Sequence, residues 1–257
     1  MNHLAARRSS LMVCAVLAGL VLRPAWAESP KALTPEAEAD QHVALAEKTF
    51  ENFWLDPGQD FFRKQLAKAK GVLIIPASAR LGFIFSGAGG RGVLVARNDS
   101  GKWTGPAFYT LSYASVGLQV GLQVSEVIVL VMSQSGINSL LSSSFRGGGD
   151  AAIAAGPVGT GTQSSFQGDF ISVYRSKVLY GGLNLDLAVL SANDAWNTGF
   201  YGKPTTSVDI LVRHEASSPK GEGLLNAVSA AVAESAEQQR AAEPKAQKTA
   251  EPKAEKN

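Results

Sequence analysis

The sequence predicts an α+β protein: a mostly antiparallel β-sheet, sandwich or barrel-like, with N-terminal helices and a C-terminal Ala-rich helix. Three observations carry this reading. Apolar residues recur at helical spacing over residues 35–54. From Gly71 onward, short apolar runs alternate with Gly, Pro, Ser and Asn, which marks strands and turns. Residues 221–243 are rich in alanine, with Leu224, Leu225, Val228 and Val232 sharing one side. Helices at the ends and strands between them place the chain in the α+β class.

The first 27 residues have the layout of a secretory signal peptide. Arg7 and Arg8 form a positive start, residues 11–22 an apolar run, and Ala25-Trp26-Ala27 a small-x-small cleavage site. The run is shorter than the ~18 apolar residues that read as a membrane-spanning helix. The residues after the paired arginines fit the twin-arginine pattern poorly, and Cys14 lacks the small residue expected before a lipidated cysteine. Removing three arginines and no acid takes the formal charge from +2 to −1. No global positive field is left to attract nucleic acid. Cys14 is the only cysteine, so cleavage leaves no disulfide, thiol nucleophile or cysteine metal site. The expected location is the periplasm, either free or associated with the membrane.

The first helix is expected over residues 35–54, with Thr34 as its cap and Pro35 at its first position. Val43, Ala46, Phe50 and Phe53 form its apolar side, and its polar side is acidic. Asp56-Pro57-Gly58 ends it. A second short helix is expected over residues 60–69, where Arg63, Lys64, Lys68 and Lys70 surround Phe61, Phe62 and Leu66. This is either an ordinary surface helix with solvated lysines or a basic rim facing a membrane. A basic amphipathic stretch attracts anionic lipid by roughly 1 kcal/mol per basic residue near the surface.

Strands are expected at residues 72–75, 81–85, 92–97, 116–124, 127–132, 152–155, 169–174, 179–190 and 208–212. Residues 116–124 alternate strictly and read as one half-buried strand, whereas the unbroken run 127–132 suits a strand buried on both faces. The folded domain is expected over residues 28–215. Residues 216–257 then form the Ala-rich helix and a charged tail, in which Ala-Glu-Pro-Lys-Ala occurs twice; that tail reads as disordered.

Little in the chain points to catalysis. His42 and His214 are isolated, lie outside any zinc spacing and read as surface residues. No Gly-x-Ser-x-Gly elbow and no phosphate-binding P-loop with its lysine is present. Asp150, Asp169, Asp186 and Asp194 are candidates for paired carboxylates, but spacing selects none of them. The reading is a non-enzymatic protein without a cofactor. The loop from Gly156 through Gly159 to Gly161 is either a turn that lets strands cross closely or a nest of backbone N–H groups that cradles a headgroup phosphate.

Seven ordered elements resemble the lipid-binding SYLF family. They are the run from Lys70 to Pro76, the Gly-rich segment 87–94, Trp103-Thr104-Gly105-Pro106, Gly117-Leu118-Gln119-Val120-Gly121, Gly156-Pro157-Val158-Gly159, Tyr174-Arg175-Ser176-Lys177 with Tyr180-Gly181-Gly182, and Asn197 with Tyr201-Gly202. The resemblance spans about residues 35–213. It implies binding of anionic phospholipid; eukaryotic members bind phosphoinositides or phosphatidic acid, and some engage actin. For an exported bacterial protein, the implied ligands are phosphatidic acid, phosphatidylglycerol or cardiolipin. Two positions depart from the signature: Arg175 stands where serine is usual and Val178 where glycine is usual. Eukaryotic members carry a basic amphipathic N-terminal helix, whereas here the first helix is acidic. The candidate lipid contacts are therefore Arg63, Lys64, Lys68 and Lys70, with Arg175, Lys177, Gly156 and Gly159 as a second set. Three functions stay open: a peripheral lipid-binding module, an envelope scaffold that binds another protein, and a hydrolase with an unrecognised site.

Overall fold

The structure is a computed structural model. It describes residues 33–82, 85–116, 123–142, 144–146, 153–155, 168–176 and 188–249. The expected signal segment, the loop Gly156–Gly161, Lys177 and the last eight residues lie outside the described residues.

Helix α1 (Pro35–Leu55) starts where its cap predicts, with the Thr34 hydroxyl accepting from the Ala37 N–H at 3.2 Å. A 3-10 turn at Pro57–Gln59 leads into α2 (Asp60–Leu66). Strands β1 (Gly71–Gly82), β2 (Phe85–Arg97), β3 (Trp103–Val116) and β4 (Gln123–Val131) follow. Then come α3 (Gln134–Leu140), β5 (Phe145–Arg146), β6 (Ile153–Ala155), β7 (Phe170–Ser176) and β8 (Ala188–Ala192). The chain closes with α4 (Asp194–Tyr201), α5 (Ser207–Leu211), a 3-10 turn at Pro219–Gly221 and α6 (Glu222–Thr249).

The described strands form one eight-stranded sheet in the order β5-β8-β3-β2-β1-β4-β7-β6. Every neighbouring pair is antiparallel except β6 with β7. The α+β class holds, and the layers packed on the sheet are helical. One face, with Val72, Ile74, Val93, Val95, Ile128 and Leu130, packs against α1, α2, α4 and α6. The opposite face, with Leu73, Ile75, Leu94, Val127 and Val129, packs against α3 and α5. Successive strand residues point to opposite faces, so cover on both sides explains why β1 and β4 read as unbroken apolar runs.

Several expectations change. Residues 116 and 123–124 belong to different strands, β3 and β4. The pairings make β3 and β4 run in opposite directions, so the alternation over 116–124 does not belong to one strand. The expected strand at 208–212 is helix α5. Its Val-Asp-Ile-Leu-Val composition favours a strand, but Thr206 and Asp209 close a capping box at its start. Strand β3 was hidden by Gly105-Pro106, which reads as a break. Leu94 pairs with Ala107 and Ala96 with Thr104, so the Gly-Pro pair is taken up as a bulge opposite Val95.

The folded unit also passes the expected boundary at Glu215. Leu224, Val228, Ala231 and Val232 on α6 are buried in the same cluster as Phe50 and Phe62. Helix α6 itself continues to Thr249, into the stretch expected to be disordered.

Candidate functional site

The candidate cations divide into two kinds. Arg63 is tied down within its own neighbourhood. Its guanidinium donates to the carbonyls of Trp54 at 3.0 Å, Asp56 at 2.6 Å and Pro57 at 3.3 Å, and pairs with the Asp60 carboxylate. The last turn of any helix leaves carbonyls without partners and carries a partial negative charge. α1 has no basic residue in its own last turn, and Arg63 supplies that role from the next helix. Arg175 is equally committed. Its Nε donates to Asp56 Oδ2 and its Nη1 to Glu126 Oε2, both at 3.0 Å, and it lies 5.7 Å from the centre of the Phe53 ring. Glu126 is its direct cross-strand partner on β4. Arg175 therefore ties the edge of the sheet to the turn after α1, with its charge answered by two carboxylates.

Lys64, Lys68 and Lys70 differ: all three are exposed. Among the described residues none of them enters a salt bridge. The backbone beneath them is held from two sides. Ser235 of α6 donates to the Arg63 carbonyl, and Gln239 Nε2 donates to the Lys64 carbonyl at 2.7 Å. Lys70 immediately precedes β1, its N–H bonded to the Val131 carbonyl at 2.7 Å and its carbonyl accepting from the Arg97 N–H at 2.8 Å. The lysines thus project from α2 (Lys64), from the turn after it (Lys68) and from the residue just before a central strand (Lys70).

The two phenylalanines of α2 separate in the same way. Phe62 is fully buried and meets Phe50 and Phe53 edge-on, both at 5.9 Å between ring centres. It is a core residue and is not presented to a membrane. Phe61 is half-buried against the same cluster.

The fold brings two further cations toward this end of the sheet, which spacing in the sequence did not reveal. Arg97 ends β2 beside Lys70 and lies 5.3 Å from the centre of the Trp103 ring. Lys102 closes the β2–β3 turn, where its N–H bonds Asn98 Oδ1 at 2.9 Å. The available signal was the Asn98–Gly101 turn, which brings Lys102 back beside Arg97.

The two histidines differ from each other. His42 is half-buried rather than on the surface: it packs edge-on against Trp196 at 5.2 Å, and its Nε2 lies 2.8 Å from the Arg91 carbonyl. Burial lowers its pKa from the usual histidine value. His214 is exposed and takes a left-handed backbone (φ 57°), which is uncommon for a residue with a side chain.

Of the candidate carboxylates, Asp169 accepts from the Ser133 hydroxyl and Asp194 sits in the first turn of α4; Asp150 and Asp186 lie outside the described residues. Among the described residues no cluster of three or more acidic, histidine or cysteine side chains is placed to hold a metal ion. No described helix is long and apolar enough to cross a membrane.

Other elements of the resemblance serve the framework. Asn197 is fully buried, and its Oδ1 accepts from the Phe108 N–H at 2.9 Å. The Tyr201 hydroxyl donates to the Pro106 carbonyl at 2.8 Å. Gly202 ends α4 in a left-handed conformation (φ 68°), which glycine adopts without steric cost.

The chain is an α+β protein, an eight-stranded sheet with helices on both faces and exposed lysines at one end. Residues 112–231 match the family model described as Ysc84, Las17-binding protein actin regulator. The chain is 32% identical over 168 residues to Protein YSC84 of Saccharomyces cerevisiae, covering 62% of this chain and 36% of that protein. It is 30% identical over 153 residues to LAS seventeen-binding protein 3 of the same organism, covering 57% and 33%. It is 26% identical over 151 residues to SH3 domain-containing YSC84-like protein 1 of Homo sapiens, covering 57% and 44%. The chain spans less than half the length of each of these relatives. Residues 112–231 of the chain therefore belong to the SYLF-domain (Ysc84) family.

Proposed function

We propose that this protein is a non-enzymatic, peripheral lipid-binding protein of the bacterial envelope that docks on anionic phospholipid through Lys64, Lys68 and Lys70. The observation that carries the reading is the contrast among the candidate cations. Arg63 and Arg175 are consumed by internal carbonyls and carboxylates, while the three lysines stand exposed. Three lysines near an anionic surface contribute about 3 kcal/mol, which is weak and reversible attraction. The names of the relatives describe binding proteins, in keeping with a role in recognition rather than catalysis. Export to the periplasm follows from the signal layout in residues 1–27.

The test reverses charge where the fold does not depend on it. Lys64→Glu with Lys68→Glu is expected to weaken flotation with phosphatidylglycerol or phosphatidic acid vesicles by about 30-fold or more, with unchanged circular dichroism. A folded double variant that floats as well as wild type removes this rim from the account. A second reading, docking on an envelope protein, draws on the relatives named as Las17-binding. It becomes the better account if wild type floats with no anionic lipid.

A further inference from the structure

A cleft of about 690 Å³ lies between the β2–β3 turn, the segment after α5 and the start of α6. Asn98, Lys102, Trp103, His214, Glu222 and Asn226 are among the residues that line it. It adjoins the lysine rim. Trp103 is the cross-strand partner of Arg97, and the Arg97 N–H bonds the Lys70 carbonyl at 2.8 Å. The lining carries charges of both signs. Lys102 and Glu222 are exposed, and among the described residues neither forms a salt bridge, with the other or with any third group. Purely anionic ligands would meet the Glu222 carboxylate, and purely cationic ones the Lys102 ammonium. A ligand carrying both charges satisfies both walls, and the neutral asparagines supply further hydrogen bonds.

We infer that this cleft binds a small zwitterion with a phosphate and a primary ammonium, the phosphate toward Lys102 and the ammonium toward Glu222. The chemistry is that of a phosphoethanolamine group, supplied either by a phospholipid headgroup or by the free solute. The lipid source rests on the membrane-docking reading; the cleft itself does not.

The full chain is titrated by calorimetry with phosphoethanolamine and, separately, with glycerol phosphate, which has the anion without the ammonium. Flotation is run in parallel with phosphatidylglycerol vesicles, with and without phosphatidylethanolamine. Phosphoethanolamine is expected to bind tighter than glycerol phosphate. Lys102→Glu and Glu222→Lys should each weaken it by about tenfold, and the double exchange should restore it to within about threefold. The rescue separates lost charge complementarity from damage to the fold. Tighter binding of glycerol phosphate, improved further by Glu222→Lys, overturns the zwitterion assignment in favour of a plain anion site. Flotation on both vesicle types with no solute binding, and no effect of either cleft variant, also overturns it while leaving membrane docking intact. Solute binding with the stated charge dependence, but no flotation on any vesicle, upholds the cleft with a soluble ligand and removes the membrane reading.

Discussion

Phe62→Ala is expected to cost about 3–5 kcal/mol of folding stability, measured by chemical denaturation. The residue is fully buried, and its ring meets Phe50 and Phe53 of α1 edge-on. Truncation removes both its apolar area and the two aromatic contacts, and the surrounding helices α1 and α2 cannot close the gap without moving the turn that Arg63 and Arg175 hold. A basic rim facing a membrane would admit the opposite role for Phe62, an apolar wedge that inserts beside the lysines. That role requires an exposed ring, and an exposed phenylalanine changed to alanine costs little stability. A loss under about 1 kcal/mol together with loss of flotation would therefore return Phe62 to the membrane surface and take it out of the core.

Ending the chain at Glu215 is expected to unfold it. Leu224 and Val228 on α6 are fully buried, and Val232 is 5% exposed. Each contributes about 1.5–3 kcal/mol by leaving water, so the three together approach the whole stability of a typical domain. Helix α6 also caps the carbonyls of Arg63 and Lys64, and Lys220 just before it bridges to Glu36 and Asp40 on α1. Removing only residues 244–257 should leave the thermal midpoint within about two degrees, since among the described residues the last buried side chain of α6 is Ser235. A cooperative thermal transition in the protein ending at Glu215 would show that the sheet and α1 suffice, and that α6 is an accessory.

Local signals were legible where they matched the tertiary structure. Thr34-Pro35 and the spacing of Val43, Ala46, Phe50 and Phe53 located α1, because cap, first residue and buried side agree. The apolar runs of β1 and β4 were legible because both faces of those strands are covered. Local signals misled where distant packing or capping overrode composition. Strand β3 is central despite Gly105-Pro106, because a bulge absorbs the pair. Helix α5 forms despite Val208 and Ile210, because the Thr206–Asp209 box sets its start.

The site was legible in part, and for a similar reason. Clustered basic residues at 63–70 are plain in the sequence. The partners that distinguish Arg63 from its lysine neighbours are backbone carbonyls, which no sequence pattern marks. Asp56 and Glu126 lie 119 and 49 residues from Arg175, so its double ion pair exists only once β7, β4 and the turn after α1 meet. The opposite charges of Lys102 and Glu222 likewise face one cleft only because α6 returns to the β2–β3 turn.

Attraction through exposed lysines is screened by salt, whereas apolar insertion is not. The screening length falls from about 30 Å at 0.01 M to about 10 Å at 0.1 M and about 3 Å at 1 M. The most direct measurement is therefore the partition of the wild-type chain onto phosphatidylglycerol vesicles from low to high salt, with neutral phosphatidylcholine vesicles alongside. The expected result is binding to the anionic vesicles alone, falling by about tenfold or more between 0.05 and 0.5 M salt. Equal binding to both vesicles, or binding that salt leaves unchanged, would contradict docking through Lys64, Lys68 and Lys70.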